Sequence, residues 1–363
     1  MKLIITADIH NGVPGKINDT IWAMNIINEY AKENEIRQVM VLGDLFHDRS
    51  SINIDVLNAV YDFFGKVDEE GDVIWSCFPG NHDMYLKNSW EINSIHVLNH
   101  IISITEDIKE FTFQGTKQKF WILPFIHFEN NYMQKLEEIN KKASEDDILL
   151  THIGVLGATL NECFLLKNWS QVTFENTKFK RVFTGHFHCH QEIGKTVYPG
   201  SPIPFRFDEG MSDHGFLVYD IETNTWEFIK IFDIYKKYSN YRPPDYMTII
   251  DKDLMKNVGW FAHNHIKIVL SKDYTANEME KIRGFALKYK ALSVGFKMEK
   301  KKIEESKITY REQKIGTPRA LFEAYIKKDE PKLNTKILLS IHSVIEKDAE
   351  ERIMVEEAED VQA

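Results

Sequence analysis

The sequence predicts a layered α/β fold, and three observations predict it. Short apolar runs alternate with stretches of helical spacing over the first eighty residues. Each apolar run ends on side chains that can ligate metals or move protons, which a core strand does not need. The length of 363 residues exceeds the size at which a single core stops growing, which argues for two domains plus appendages. Strand–helix–strand alternation implies parallel strands joined by right-handed crossovers, with ligands beyond the carboxyl ends of the strands.

The elements follow in order. Lys2 to Ala7 reads as a first strand ending at Asp8 and His10, and reaches a carboxylate too soon to be a signal peptide. Residues 17–34 have helical spacing, with Ile21, Met24, Ile27 and Ala31 on one face. Gln38 to Leu42 is a second strand, ending at Gly43-Asp44. Residues 53–65 form a second helix that buries Val56, Leu57, Val60 and Phe63-Phe64. Val73 to Phe78 is a third strand, and Pro79-Gly80 turns it into Asn81-His82-Asp83.

The next stretch is richer in strands. A hairpin is expected around Gly115, then a helix over 130–144 and a strand over 147–150 ending at Thr151-His152. A further strand, 181–183, runs into Gly185-His186-Phe187-His188. Strands at 197–198, 215–220 and 225–231 follow. Arg242-Pro243-Pro244 marks a boundary, after which strand, strand, helix and strand make a small α+β unit. A polar linker then leads to two amphipathic helices, capped by Thr317 and by Asn334 or Thr335. The resulting division is 1–241, 242–303 and 304–363.

Composition excludes several classes. No apolar run is long enough to span a membrane. Cys77, Cys163 and Cys189 are few, odd in number and widely spaced, which suits a reducing cytoplasm and not a disulfide framework. The net charge of −10 argues against a general nucleic-acid binder, but it is unevenly spread. Residues 251–310 carry thirteen Lys+Arg against eight Asp+Glu, a net of +5; residues 346–363 carry two against eight, a net of −6.

Eight residues fall just after predicted strands: Asp8, His10, Asp44, Asn81, His82, His152, His186 and His188. Oxygen and imidazole donors without thiolate suit manganese, iron or zinc in an open site. Two ions about 3.5–4 Å apart can clamp a phosphate and activate a water, so no protein nucleophile is needed.

In order and type these residues resemble the five motifs of the calcineurin-like metallophosphoesterases: Asp8-x-His10, Gly43-Asp44, Gly80-Asn81-His82-Asp83, His152 and Gly185-His186-x-His188. The motifs cover about half the chain. Gly43-Asp44-Leu45-Phe46-His47 and Asp83 depart from the protein-phosphatase branch. Tyr198-Pro199-Gly200-Ser201-Pro202-Ile203-Pro204, with Phe207-Asp208-Glu209, looks like SbcD-type (meiotic-recombination-eleven-like) nuclease subunits, phage counterparts included.

That resemblance implies an α/β/α metallophosphoesterase sandwich with a DNA-binding capping domain and C-terminal helices that dock an SbcC-type coiled-coil ATPase. It implies a homodimer in the cytoplasm, the host's if phage-encoded, and no membrane association. It assigns one metal to Asp8, His10 and His188 and the other to Asn81, His152 and His186, with Asp44 bridging. The metals are expected to be two Mn2+, with Mg2+, Fe2+ or Zn2+ as alternatives. His82 is a non-ligand that protonates the leaving oxygen or stabilises the transition state, Asp83 orients it, and His47 places the DNA. The implied activity is 3′–5′ exonuclease and single-strand endonuclease, by two-metal hydrolysis of phosphodiesters. The rivals are a small-substrate phosphodiesterase, a protein phosphatase and a DNA-end scaffold.

Other residues have plainer expectations. His96, His100, His127 and His214 read as loop or half-buried positions, and His190 as lying beside the site or on the surface. Trp22, Trp75 and Trp121 read as core, Cys189 as packing, and Tyr235, Tyr238 and Tyr241 as a packed linker.

Overall fold

The computed structural model describes residues 1–298, apart from 87–88, 162–163, 166–171 and 211. The expected C-terminal helices and the basic Lys300-Lys301-Lys302 lie outside the described residues.

In chain order the elements are β1 (Lys2–Thr6), α1 (Ile17–Glu33), β2 (Gln38–Val41), α2 (Ile54–Glu70), β3 (Ile74–Cys77) and β4 (Ser103–Ile104). Then come β5 (Lys109–Thr112), β6 (Lys119–Leu123), α3 (Glu129–Lys142), β7 (Ile148–His152), the short pair β8 (Thr159–Asn161) and β9 (Phe164–Leu165), and β10 (Arg181–Gly185). The core closes with β11 (Gln191–Ile193), β12 (Thr196–Tyr198), β13 (Gly215–Asp220), β14 (Thr225–Lys230) and the single turn α4 (Ile231–Ile234). Last come β15 (Tyr246–Ile250), β16 (His265–Leu270), α5 (Ala276–Lys288) and β17 (Ser293–Met298).

The layered α/β sandwich is present, and its middle layer is double. One six-stranded sheet runs β14-β13-β1-β2-β3-β4 and the other β11-β12-β10-β7-β6-β5. Leu3, Ile5, Met40 and Leu42 of the first sheet meet Phe120, Ile122, Ile148, Leu150 and Phe183 of the second in one buried cluster. The opposite faces carry the helices: Ile4, Val39 and Val41 pack with Met24, Ile27, Val60 and Phe64, and Trp121, Leu149 and Val182 with Tyr132, Leu136 and Ile139. Strands apolar on both faces read as continuous apolar runs, as Leu3-Ile4-Ile5 and Ile148-Leu149-Leu150 do.

Helix α1 departs from a one-faced amphipath. Beyond its sheet-facing side, Trp22, Ala23 and Ile26 pack with Ile203, Phe205 and Ile231. Trp22 donates its indole N–H to the Tyr241 carbonyl at 3.0 Å, and the Tyr241 hydroxyl donates to Asp19 at 2.7 Å. Tyr235 and Tyr238 pack against this cluster, whereas the Tyr241 ring is exposed and tethered by its hydroxyl.

Residues 246–298 form a three-stranded parallel sheet, β15-β16-β17, with a core of their own around Ile249, Ile266, Ile268 and Phe261. Helix α5 starts with a capping box between Thr275 and Glu278, which satisfies two backbone donors reciprocally. This small unit rests on the segment before β13: Phe207 packs edge-on to Tyr246 at 5.0 Å, and the Lys267 ammonium sits 4.4 Å over the Phe207 ring. No helix among the described residues is long and apolar enough to cross a membrane.

Candidate metal centre

The five polar stretches meet where the carboxyl ends of β1, β2, β3, β7 and β10 approach one another. Backbone bonds zip the first two loops together: Asp8 N–H donates to Gly43 O, His10 N–H to Asp44 O and Asn11 N–H to Leu45 O, at 2.9–3.2 Å. Glycines allow the remaining approach. A Cβ on Gly43 would lie 2.6 Å from His152 Nδ1 and 2.7 Å from Gly80 Cα, and one on Gly185 would lie 2.4 Å from Leu42 O. The glycines before Asp44 and His186 thus have a packing reason. Asp8, His10 and Asp44 take left-handed backbone at φ 52–54°, and His186 sits at φ 106°, conformations that cost free energy and recur at functional sites.

The side chains converge as a donor set. Asp44 Oδ2 lies 3.7 Å from His10 Nε2 and 3.4 Å from His152 Nε2, between the two halves. On one side, His10 Nε2 and His188 Nε2 are 3.0 Å apart. On the other, Asn81 Oδ1 is 3.0 Å from His152 Nε2 and 2.8 Å from His186 Nδ1. The ligand atoms of Asp8, His10 and His188 all lie within 4.8 Å of one another, as do those of Asp8, Asp44 and His152. Asp8 therefore reaches both halves, and both its oxygens accept from the His186 backbone N–H.

The rings are aimed by their other nitrogens. His152 Nδ1 donates to Leu42 O at 2.7 Å, which leaves Nε2 facing the centre. His188 Nδ1 donates to Glu209 Oε1 at 2.9 Å. Glu209 is fully buried and also accepts from the Phe205 amide at 2.7 Å and from Arg206. Phe125 walls the far half, its ring stacked on His186 at 6.1 Å.

Burial and charge set the protonation states. Burial pushes Asp8 up to about 6, against the pull of His152 and His188. Burial would raise Asp44 as well, but His152, His10 and His82 overcome it and hold its carboxyl well below the usual range. Burial drives His10 well below its ordinary value, and burial with His152 takes His186 down to about 3. Burial would lower His152, but Asp44 and Asp8 raise it to about 9. Burial would raise Glu209, but His188 pulls it down to about 2. His10 and His186 are neutral imidazoles beside the ionised Asp44, ready to bind a divalent cation, and His152 gives up its proton when an ion takes that place, so the donor set fits such ions.

His82 stands at the rim. Its backbone N–H donates to Asp44 Oδ1 at 2.7 Å, its Nδ1 to the His47 carbonyl at 2.6 Å, and its ring stacks on His47 at 5.3 Å. The expectation that Asp83 orients His82 is corrected. Asp83 is fully buried and points inward, where its carboxylate accepts from the amides of Leu45, Phe46 and Gly80 and from Ser94 Oγ. It ties the second loop to the third, and the His47 carbonyl orients His82.

His214 is also corrected. It is buried, not half-buried, and bonds Ser201 O and Glu209 O. His190 stacks on Phe228 at 4.1 Å, away from the ligands.

The family profile described as calcineurin-like phosphoesterase matches residues 1–190, more than half of the chain. The chain belongs to the calcineurin-like phosphoesterases. It is thus a hydrolase by family, and the family implies divalent metal ions. The chain is 26% identical over 281 residues to exonuclease subunit 1 of Enterobacteria phage T4, covering 70% of this chain and 79% of that protein. It is 23% identical over 273 residues to an uncharacterized protein, R555, of Acanthamoeba polyphaga mimivirus, covering 69% of this chain but only 20% of the viral protein. Among solved structures, GAP50, the anchor in the inner membrane complex of Plasmodium, matches at a TM-score of 0.41 and 14% identity, over 60% of this chain and 80% of that one.

Sequence reasoning missed two residues of this phosphoesterase centre. Glu209 lay within a segment already singled out, but no local signal pairs it with His188. Phe125 carried no signal beyond the end of an apolar strand.

Proposed function

We propose that this phosphoesterase is a metal-dependent DNA nuclease of the SbcD type, cutting phosphodiesters as a 3′–5′ exonuclease and single-strand endonuclease. The observation that carries the reading is the convergence of seven donors with His82 beside them, unspent on ligation. The similarity to a phage exonuclease subunit supports a nucleic-acid strand as the substrate. Asp8, His10 and His188 hold one Mn2+, Asn81, His152 and His186 the other, and Asp44 serves both; Mg2+, Fe2+ or Zn2+ suit the same donors. Such ions supply charge for the phosphate oxygens and lower the pKa of a water.

The chain's own groups do the rest. His82 presents the nitrogen opposite its bond to His47 O and gives a proton to the departing 3′-oxygen. His47, stacked on His82, meets the strand at the rim. Asp83 keeps the loops that carry Asp44 and Asn81 at a fixed separation.

We further propose the division 1–241 nuclease, 242–303 capping and DNA-binding, and 304–363 docking of an SbcC-type coiled-coil ATPase, with a homodimer acting in the cytoplasm on DNA ends during repair or recombination. Purified protein, labelled DNA and manganese test the activity. Full cleavage by Asp8→Ala or His152→Ala would sink the metal assignment. Rapid turnover of cyclic nucleotides or phosphopeptides with no DNA cleavage would favour the small-substrate or protein-phosphatase reading. Truncation after Glu304 is expected to abolish co-purification with the ATPase and to spare cleavage of single strands.

A further inference from the structure

A cleft of about 720 Å3 opens beside the metal centre and takes no part in the roles above. Its inner wall is shared with the site. Phe125 lines the cleft with one part of its surface and stacks on His186 with another, and Met84 of the lining directly follows Asp83. Trp90 forms the other aromatic wall, fixed by its indole N–H bond to the Phe125 carbonyl at 2.7 Å. The mouth is edged by Asn131 and Gln134 of α3 and by the carboxylates of Glu91, Glu106 and Asp107.

This lining selects its ligand. Lys135, the one cation of the lining, already pairs with Glu138 at 3.1 Å, and Glu106 already accepts from Asn93 and meets His96, so Glu91 and Asp107 leave the mouth negative and a phosphate is repelled. A flat, uncharged, aromatic group is accepted between Trp90 and Phe125. Amide side chains and carboxylates at the mouth match a base edge that offers an exocyclic amino group, as adenine and cytosine do. We infer that this cleft receives the nucleobase of the nucleotide whose phosphate occupies the metal centre, with a preference for amino-bearing bases. The inference deepens the nuclease reading and rests on it: the phosphate stays at the ligands while its own base is taken out of the stack into the neighbouring cleft.

The test is calorimetric binding of three probes to the full-length, manganese-loaded protein: deoxyribose 5-phosphate, dTMP and dAMP. All three carry the same phosphate and differ only in what enters the cleft. dAMP is expected to bind about tenfold more tightly than deoxyribose 5-phosphate, the size of one base–aromatic contact, with dTMP between them. Gln134→Trp fills the mouth from an exposed helix position. It is expected to remove the advantage of dAMP and leave deoxyribose 5-phosphate within about twofold, which also shows that the variant is folded. Asn131→Ala with Gln134→Ala is expected to narrow the gap between dAMP and dTMP. Equal affinities for all three probes in the wild type, or a dAMP advantage untouched by Gln134→Trp, overturn the inference. A wild type that cleaves no DNA yet keeps the dAMP preference overturns the nuclease reading and leaves the cleft assignment standing.

Discussion

The two halves of the proposed metal centre each offer two histidines and one side-chain oxygen donor but are anchored differently. His152 is aimed by the Leu42 carbonyl, a backbone group that no substitution removes. His188 is aimed by the Glu209 carboxylate, a buried side chain that itself draws on Phe205 and Arg206. The Leu42 carbonyl fixes direction and adds a smaller pull on the His152 proton than Asp44 and Asp8 do. A carboxylate also raises the basicity of the ring, because it stabilises positive charge on it. Accordingly His188 rises above its ordinary value despite burial, which lowers it, through its bond to Glu209. The half anchored by a side chain is tunable and can be broken by one change, whereas the half anchored by backbone is fixed by the fold.

The largest expected effect erases the difference between the halves. Asp44→Ala removes the group between them, so DNA cleavage is expected to fall below detection and bound manganese to drop from two ions to one or none, read by elemental analysis. Next, His82→Ala is expected to lower kcat by about 10²–10⁴-fold with both ions retained. Loss of an ion in that variant would contradict the role of His82 as a non-ligand.

Glu209→Gln sharpens the comparison. The amide oxygen still accepts from His188 but the charge is gone, so one manganese site is expected to weaken by about 10–100-fold while the other holds. A two-site titration reads this, and equal weakening of both sites would refute the division into independent anchors. The smallest effect is His47→Ala. The residue 47 carbonyl survives the substitution and keeps His82 aimed, so KM for DNA is expected to rise about fivefold, one hydrogen bond's worth, with kcat held. A fall in kcat alone would move His47 from binding into chemistry.

The ligands were legible because they sit at strand ends in fixed order, and a strand end is a local feature. Asp83 was misread because neighbours in sequence were taken as neighbours in space. The turn after Gly80 sends His82 to the rim and Asp83 into the core. Glu209 was illegible for the converse reason: it follows His188 by 21 residues, and only the folded loop at 205–209 brings them to 2.9 Å. In the fold, runs apolar on both faces announced buried strands. They carry no information on whether a helix or a second sheet covers the far face, and here a second sheet does. The two-sided burial of α1 has the same cause, since its second contact surface is made by residues some 180 positions later.

The left-handed backbone at Asp8, His10 and Asp44 has a consequence for heat resistance. Each such residue spends roughly 1–2 kcal/mol that a relaxed loop would keep. The ion-free protein therefore carries a built-in deficit, and bound ions offset it by mass action because they favour the folded state alone. Melting temperature then becomes a meter of metal occupancy. A chelated sample is expected to melt well below a manganese-loaded one, and the gap is expected to shrink in any variant that relaxes these turns. Attempts to make this chain more robust by easing those backbones would weaken the geometry on which its chemistry depends.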